Sequence, residues 1–200
     1  MVWGILGSSL PSGIVDPNFA TVAADLTAPA EAEAAVRKVI EASGKIDVLL
    51  HLTGGFAGGK PVAETDDAAW DRMLSLNLHT AIYMARAVLP HMLAAGRGRI
   101  VAIGSRTGVE PAAGLSAYGV SKAALIALLR TIAVEVRNSG VTANIVLPSV
   151  IDTTTNRAAS PGADFSKWVQ PVSIARLLLF LASGDAADIN GAVIPIYGRA

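Results

Sequence analysis

The sequence predicts an α/β fold, a doubly wound parallel sheet, and two observations carry that expectation. Short apolar runs alternate with longer stretches whose apolar positions recur at helical spacing, the pattern of strands separated by helices. One inner run, residues 46–52, is apolar apart from Asp47 and His51 and does not alternate, as expected for a strand covered on both faces. Residues 20–24 read as a short buried strand. The helix after it has Pro29 in its first turn, Glu31 and Glu33 early, Arg37 and Lys38 late and Gly44 just beyond, an order that suits the helix dipole. Its residues Ala32, Ala35, Val36, Val39 and Ile40 share one face. Next come a long helical stretch at 66–94, a strand at 100–103, a helix at 115–138 closed by Gly140 and a strand at 141–147. An amphipathic helix at 174–183, with Ile174, Leu177, Leu178 and Leu181 on one side, leads to a last strand at 192–197.

Composition sets limits. The 200 residues fit one domain spanning 1–200, with an atypical start at 1–19, and contain no repeat or low-complexity linker. Net charge is zero and no basic block occurs, so nothing favours nucleic acid or an anionic membrane. Without cysteine, disulfides and thiolate chemistry are excluded. No uninterrupted apolar run reaches the roughly 18 residues of a membrane helix, and Met1-Val2-Trp3 has no charged leader; a cytoplasmic location is the expectation. The apolar fraction of 52% against 16% charged suggests surface buried between subunits. Residues 123–129 are apolar around the whole helix, and a helix apolar on every side is buried, here by the sheet on one side and a partner copy on the other.

The chemistry centres on Tyr118 and Lys122, four apart at the start of a long helix and therefore on one face. A free phenol ionises near pH 10, and lowering that by roughly three pH units takes about 4 kcal/mol. An adjacent ammonium and the positive helix end would each supply part. Ser105, at the end of the apolar run 100–103, would place a hydroxyl beside the same carbonyl oxygen. Alone it reads equally as a strand-end hydroxyl capping a loop. Together the three suggest carbonyl reduction or alcohol oxidation. His51, His79 and His91 show no ligand spacing, so no metal is expected.

The order Ser105, Tyr118-x-x-x-Lys122 resembles the short-chain dehydrogenase/reductase family, and the likeness extends from Ala20 to Gly198. It implies a Rossmann-like fold, NAD or NADP as cofactor, and a homodimer or homotetramer. It also implies a catalytic tetrad in which Asn77 holds a relay water, Ser105 orients the substrate, Tyr118 gives the proton, and Lys122 lowers the phenol's pKa and holds the ribose. By the same resemblance Asp25 and Leu26 meet the adenine, and Thr53, Gly54, Gly55, Tyr118, Lys122, Pro148, Ile151 and Thr153 line the cofactor. Read from the residues alone, Asp25 serves equally as a strand-end acid introducing the next helix. Arg106 reads as a solvated loop charge. His51-Leu52-Thr53-Gly54 replaces the family's usual Asn-Asn-Ala-Gly, with His51 expected in a structural hydrogen bond. The Gly54-to-Gly59 run, together with Pro148, Asp152, Asn156, Arg157, Phe165 and Trp168, is similar to the dihydropteridine reductase branch and implies a pterin-like substrate. Phe165 and Trp168 are expected either to stack on a planar ring or to pack a lid.

One region departs from the family pattern. Two strand–helix pairs would need roughly 50 residues ahead of the strand ending at Asp25, from about 30 for one βαβ unit. Residues 1–19 leave room for a strand at 2–6 and a glycine turn at 7–14, and residues 14–24 are too few for the helix, strand and helix after it. The expected fold therefore lacks most of the first strand-helix-strand-helix portion, and the segment is expected to be a loop or a replacement edge strand. The competing expectation is a truncated, non-catalytic homologue that acts as an oligomeric binding or structural protein.

Overall fold

The structure, a computed structural model, describes residues 1–7 and 16–199. All strands run parallel, in two sheets. In the first, β1 (Val2–Leu6) pairs with β2 (Phe19–Ala23), Val2 opposite Phe19 and Leu6 opposite Ala23. The second holds β3 (Val48–His51), β4 (Gly98–Ile103), β5 (Val141–Pro148) and β6 (Val193–Ile196) in that spatial order. Among the described residues no ladder joins the two sheets. The expected strand at 2–6 is present as β1, and the glycine turn expected after it falls mostly at 8–15, outside the described residues.

Local chemistry explains the helices. The first, α1 (Pro29–Ser43), begins at a proline whose missing N–H would have been unpaired anyway. It ends at Gly44, whose φ of 73° lets its N–H bond the Ile40 carbonyl. The predicted helix at 66–94 is α2 (Asp67–Leu74) running through a π-helical turn at Ser75–His79 into α3 (Thr80–Ala95). The Asp66 carboxylate caps it, accepting the Ala69 N–H at 2.8 Å. Next comes α4 (Ser116–Glu135), followed, after β5, by the short α5 (Thr154–Ala159) and by α6 (Pro171–Ala182).

One core lies between the sheets and α1, α3 and α4, with Val36, Val88, Ile100, Leu125, Ile145 and Leu129 at its centre. A second, smaller core forms where α6 covers β4 and β5 with Leu178 and Leu181 on Val101 and Val146. By length and composition α4 could cross a membrane, with mean hydropathy 1.5, yet its inner residues Leu125, Leu129 and Ile132 are buried in the first core.

The expectation that residues 46–52 are covered on both faces is corrected. Leu49 packs on the first core, but Val48 and Leu50, on the opposite side of the strand, are 36% and 38% exposed. The physical reason is reach: α6 packs over β4, and β3 lies beyond its edge.

Candidate active site

The carboxyl ends of β3, β4 and β5 converge where ligands bind in open α/β sheets. The loop after β3 brings Thr53, Gly54 and Gly55, the end of β4 brings Ser105, and β5 leads through Pro148 to Ile151 and Thr153. The start of α4 lies against them, presenting Tyr118 and Lys122 from one face.

The Tyr118 phenol comes under the influence of the Ser105 hydroxyl. Burial raises its pKa, the Ser105 contact lowers it, and burial prevails, so the group ionises above its ordinary value of 10.0. The expectation of a phenol lowered by its neighbours is thus not met in the protein alone. Ser105 is 8% exposed, and its oxygen also accepts the Thr107 N–H at 3.2 Å. Lys122 is 5% exposed, and its ammonium donates to the Ile103 carbonyl at 3.1 Å. Burial brings its pKa down to about 8. Glycine at 54 is required by crowding: a Cβ there would lie 2.7 Å from Asn77 Oδ1 and 3.2 Å from Lys122 Nζ.

Asn77 is fully buried in the π-helical turn, where the widened backbone turns its amide toward the β3 loop. Its Oδ1 accepts the Gly55 N–H, and its Nδ2 donates to the Gly55 carbonyl and to Ser121 Oγ. Ser121 in turn donates to the Tyr118 carbonyl at 2.7 Å. The side chain of Asn77 thus ties the glycine loop to the first turn of α4. Ser121 was not singled out from sequence, although its place between Tyr118 and Lys122 was the available signal. His51 fills the structural role expected of it. Thr80 Oγ1 donates to the Leu76 carbonyl, so Nε2 of His51, 3.3 Å away, is the donor to Thr80. Burial first, then the nearby Lys122 charge, lower its pKa to about 4.

Phe56, read from sequence only as part of the glycine run, meets the Tyr118 ring edge to face with centroids 5.0 Å apart. An aromatic side chain inside a glycine run was its signal. On the far side, Thr153 caps α5 through the Asn156 N–H, and Ile151 bridges Val169. Arg157 and Gln170 hold the Asp152 carboxyl at about 2. Arg157 also sits over the Phe165 ring, which packs on Trp168 at 4.8 Å. Of the two uses expected for Phe165 and Trp168, lid packing is the one these contacts fit. Arg106 is a partly exposed loop charge that also pairs with Glu110 and lies over the Tyr197 ring.

Asp25 and Leu26 stand apart from this cluster, at the end of β2 on the two-stranded sheet. Leu26 is buried, while exposed Asp25 accepts the Thr27 N–H and hydroxyl, which hold it below the usual carboxylate range. Among the described residues no group of three or more acidic or histidine side chains could hold a metal. The residues that are present fit the ribose end of a dinucleotide. Lys122 is a buried cation with three donors and one acceptor among the described residues, and close to it Gly54 leaves room that a side chain would fill.

Comparison with known proteins agrees with this geometry. The family profile described as short chain dehydrogenase matches residues 12–164. The chain is 30% identical over 217 aligned residues to the short-chain dehydrogenase/reductase cdmF of Talaromyces verruculosus, covering 98% of this chain and 85% of that one. Among solved structures, ElxO with NADP bound superposes with a TM-score of 0.86 and 26% identity, over 90% of this chain and 77% of the other. A gluconate 5-dehydrogenase from Burkholderia cenocepacia in complex with NADP and tartrate superposes with a TM-score of 0.84 and 25% identity, over 90% and 74%.

Proposed function

The chain belongs to the short-chain dehydrogenase/reductase family of NAD(P)-dependent oxidoreductases, and from that premise we propose that it reduces a carbonyl or imine, or oxidises the matching alcohol, by hydride transfer. The observation that carries the reading is the grouping of Ser105, Tyr118 and the buried Lys122 at the carboxyl ends of the strands. Both NADP-bound neighbours support NADP as a cofactor, and NAD remains within the proposal.

When bound, the nicotinamide supplies or takes up the hydride. Ser105 donates a hydrogen bond to the substrate oxygen and orients it. Tyr118 transfers its phenolic proton to that oxygen as negative charge develops there. The raised pKa keeps this proton on the phenol at neutral pH, which suits the reductive direction. Lys122 places positive charge behind the phenol, favouring the tyrosinate left by the transfer, and offers its remaining donors to the ribose hydroxyls. Asn77 keeps Gly54 and Gly55 in place, with its buried backbone as the proposed holder of a relay water. Thr53, Gly54, Gly55, Pro148, Ile151 and Thr153 would line the nicotinamide side, and Asp25 with Leu26 the adenine side.

The substrate class proposed is a small carbonyl compound or a pterin-like heterocycle, in keeping with the dihydropteridine reductase-like motifs. The outward side of α4, where Val120, Ala123, Ala127 and Val134 are exposed, supports assembly as a homodimer or homotetramer. The alternative, a non-catalytic binding or structural protein, is disfavoured by the buried Asn77 amide, which ties the glycine loop through Ser121 to the helix turn that carries Tyr118 and Lys122.

A titration of NADPH and NADH followed by nicotinamide fluorescence tests the reading. Micromolar binding of either is expected; no binding at millimolar cofactor would overturn it in favour of the non-catalytic alternative.

A further inference from the structure

Phe56 is held in an unusual way for an exposed aromatic residue. It is 65% exposed, yet the backbone on each side of it is fixed. Before it, Gly55 is locked by two hydrogen bonds to the Asn77 side chain, at 2.9 and 3.0 Å. After it, the Gly59 N–H donates to the Gly114 carbonyl at 2.8 Å, and Lys60 bridges Leu115 in parallel. The second clamp grips the segment just ahead of Tyr118, so the two rings are set relative to each other by backbone on both sides. Phe56 is largely exposed, and part of its ring rests on neighbouring groups. Its ring tip lies over Gly58, within 3.5 Å of where a Cβ would stand, and its side meets Tyr118 at an interplanar angle of 70°.

This arrangement leaves an apolar ring open against the ring of the tyrosine that is proposed to give up its proton. An isolated exposed hydrophobe needs no explanation. A ring with a fixed frame, touching the proposed acid and mostly uncovered, is pre-organised for contact with whatever that acid acts on. Flat π systems favour offset or edge-to-face contact with another ring, which an aliphatic group cannot reproduce.

We propose that Phe56 is the aromatic wall of the substrate site, and that the preferred substrates are carbonyl compounds whose reacting carbon is fused to, or conjugated with, a planar ring. The proposal rests on the carbonyl-reductase reading of the same site. Phe56 acts on recognition, and the proton transfer stays with Tyr118.

The test compares 1-tetralone with cyclohexanone, a fused aryl ketone against an aliphatic ring ketone. Binding of each to the full chain is followed by ligand-observed NMR titration, with and without NADPH, for the wild type, Phe56→Ala and Phe56→Trp. The expected result is tighter binding of tetralone by the wild type. Phe56→Ala should weaken tetralone by about fivefold to tenfold, the size of one aromatic contact. The same variant should weaken cyclohexanone less than tetralone, circular dichroism should report an intact fold, and Phe56→Trp should keep the preference. A wild type without preference for tetralone, or a preference that survives Phe56→Ala, overturns the proposal. A Phe56-dependent preference without turnover of either ketone supports the proposal and counts against the carbonyl-reductase reading.

Discussion

The Asn77 side chain and the Gly55 peptide form a reciprocal pair: Oδ1 accepts the Gly55 N–H at 2.9 Å while Nδ2 returns a bond to the Gly55 carbonyl at 3.0 Å. An amide side chain here imitates a neighbouring strand, pairing both polar groups of a glycine loop that no backbone partner reaches. The same Nδ2 bonds Ser121 on α4, so one buried residue joins three parts of the site.

Asn77→Ala should therefore cost about 3 kcal/mol, since it leaves buried donors and acceptors unpaired on the loop and on Ser121. Chemical denaturation measures it. A loss below about 1 kcal/mol would show that water replaces the amide without penalty.

Lys122→Met should stabilise the protein at pH 7 while removing activity. Holding the ammonium in a buried site moves its pKa from 10.5 to about 8, a penalty on the order of 3 kcal/mol. Losing the bond to the Ile103 carbonyl returns about 1 kcal/mol of that. The folded state binds fewer protons than the unfolded between pH 8 and 10.5, so wild-type stability rises across that window. The variant's advantage should be full below pH 8 and shrink toward pH 10.5, as thermal melts at stepped pH would show.

His51→Asn should flatten the acid side of the stability profile. The folded-state pKa near 4 lies below the ordinary 6.5, so stability present above pH 6.5 is lost as pH falls toward 4. Melting temperatures of wild type and variant should converge in that window as the histidine's contribution disappears. Parallel curves would mean that other groups dominate acid unfolding.

Gly54→Ala should lower activity at least tenfold and raise the apparent KM for cofactor, with a stability loss of about 1–2 kcal/mol. The added methyl stands 2.7 Å from Asn77 Oδ1, so either the loop or the amide must move. Steady-state kinetics with varied NADPH separates this from a general loss of fold.

Much of this was legible in the sequence, and the limits are physical. Pro29 and Gly44 marked α1 at both ends because cap chemistry is local. The spacing of Tyr118 and Lys122 put them on one helical face for the same reason. The π-helical turn at Ser75–His79 was not legible, since the partners of Asn77 within it, Gly55 and Ser121, lie far along the chain. The open side of β3 was hidden as well. An apolar run says that a strand is near a core, and only the reach of α6 decides which of Val48 and Leu49 is covered. The direction of the Tyr118 shift was misjudged because burial, a tertiary property, outweighs the partner that sequence could supply. Phe56 was legible only as part of the Gly54-to-Gly59 run, because its contact with Tyr118 depends on the clamp at Gly114.

The most direct test of the central claim is deuterium transfer from C4-deuterated NADPH to a carbonyl panel, comparing wild type with Tyr118→Phe at matched cofactor occupancy. The account predicts label in the alcohol product of the wild type, and a loss of at least a hundredfold in rate for the variant with NADPH affinity retained. Label appearing at comparable rates in both proteins would contradict the assignment of the proton to Tyr118, and label in neither would contradict the oxidoreductase reading itself.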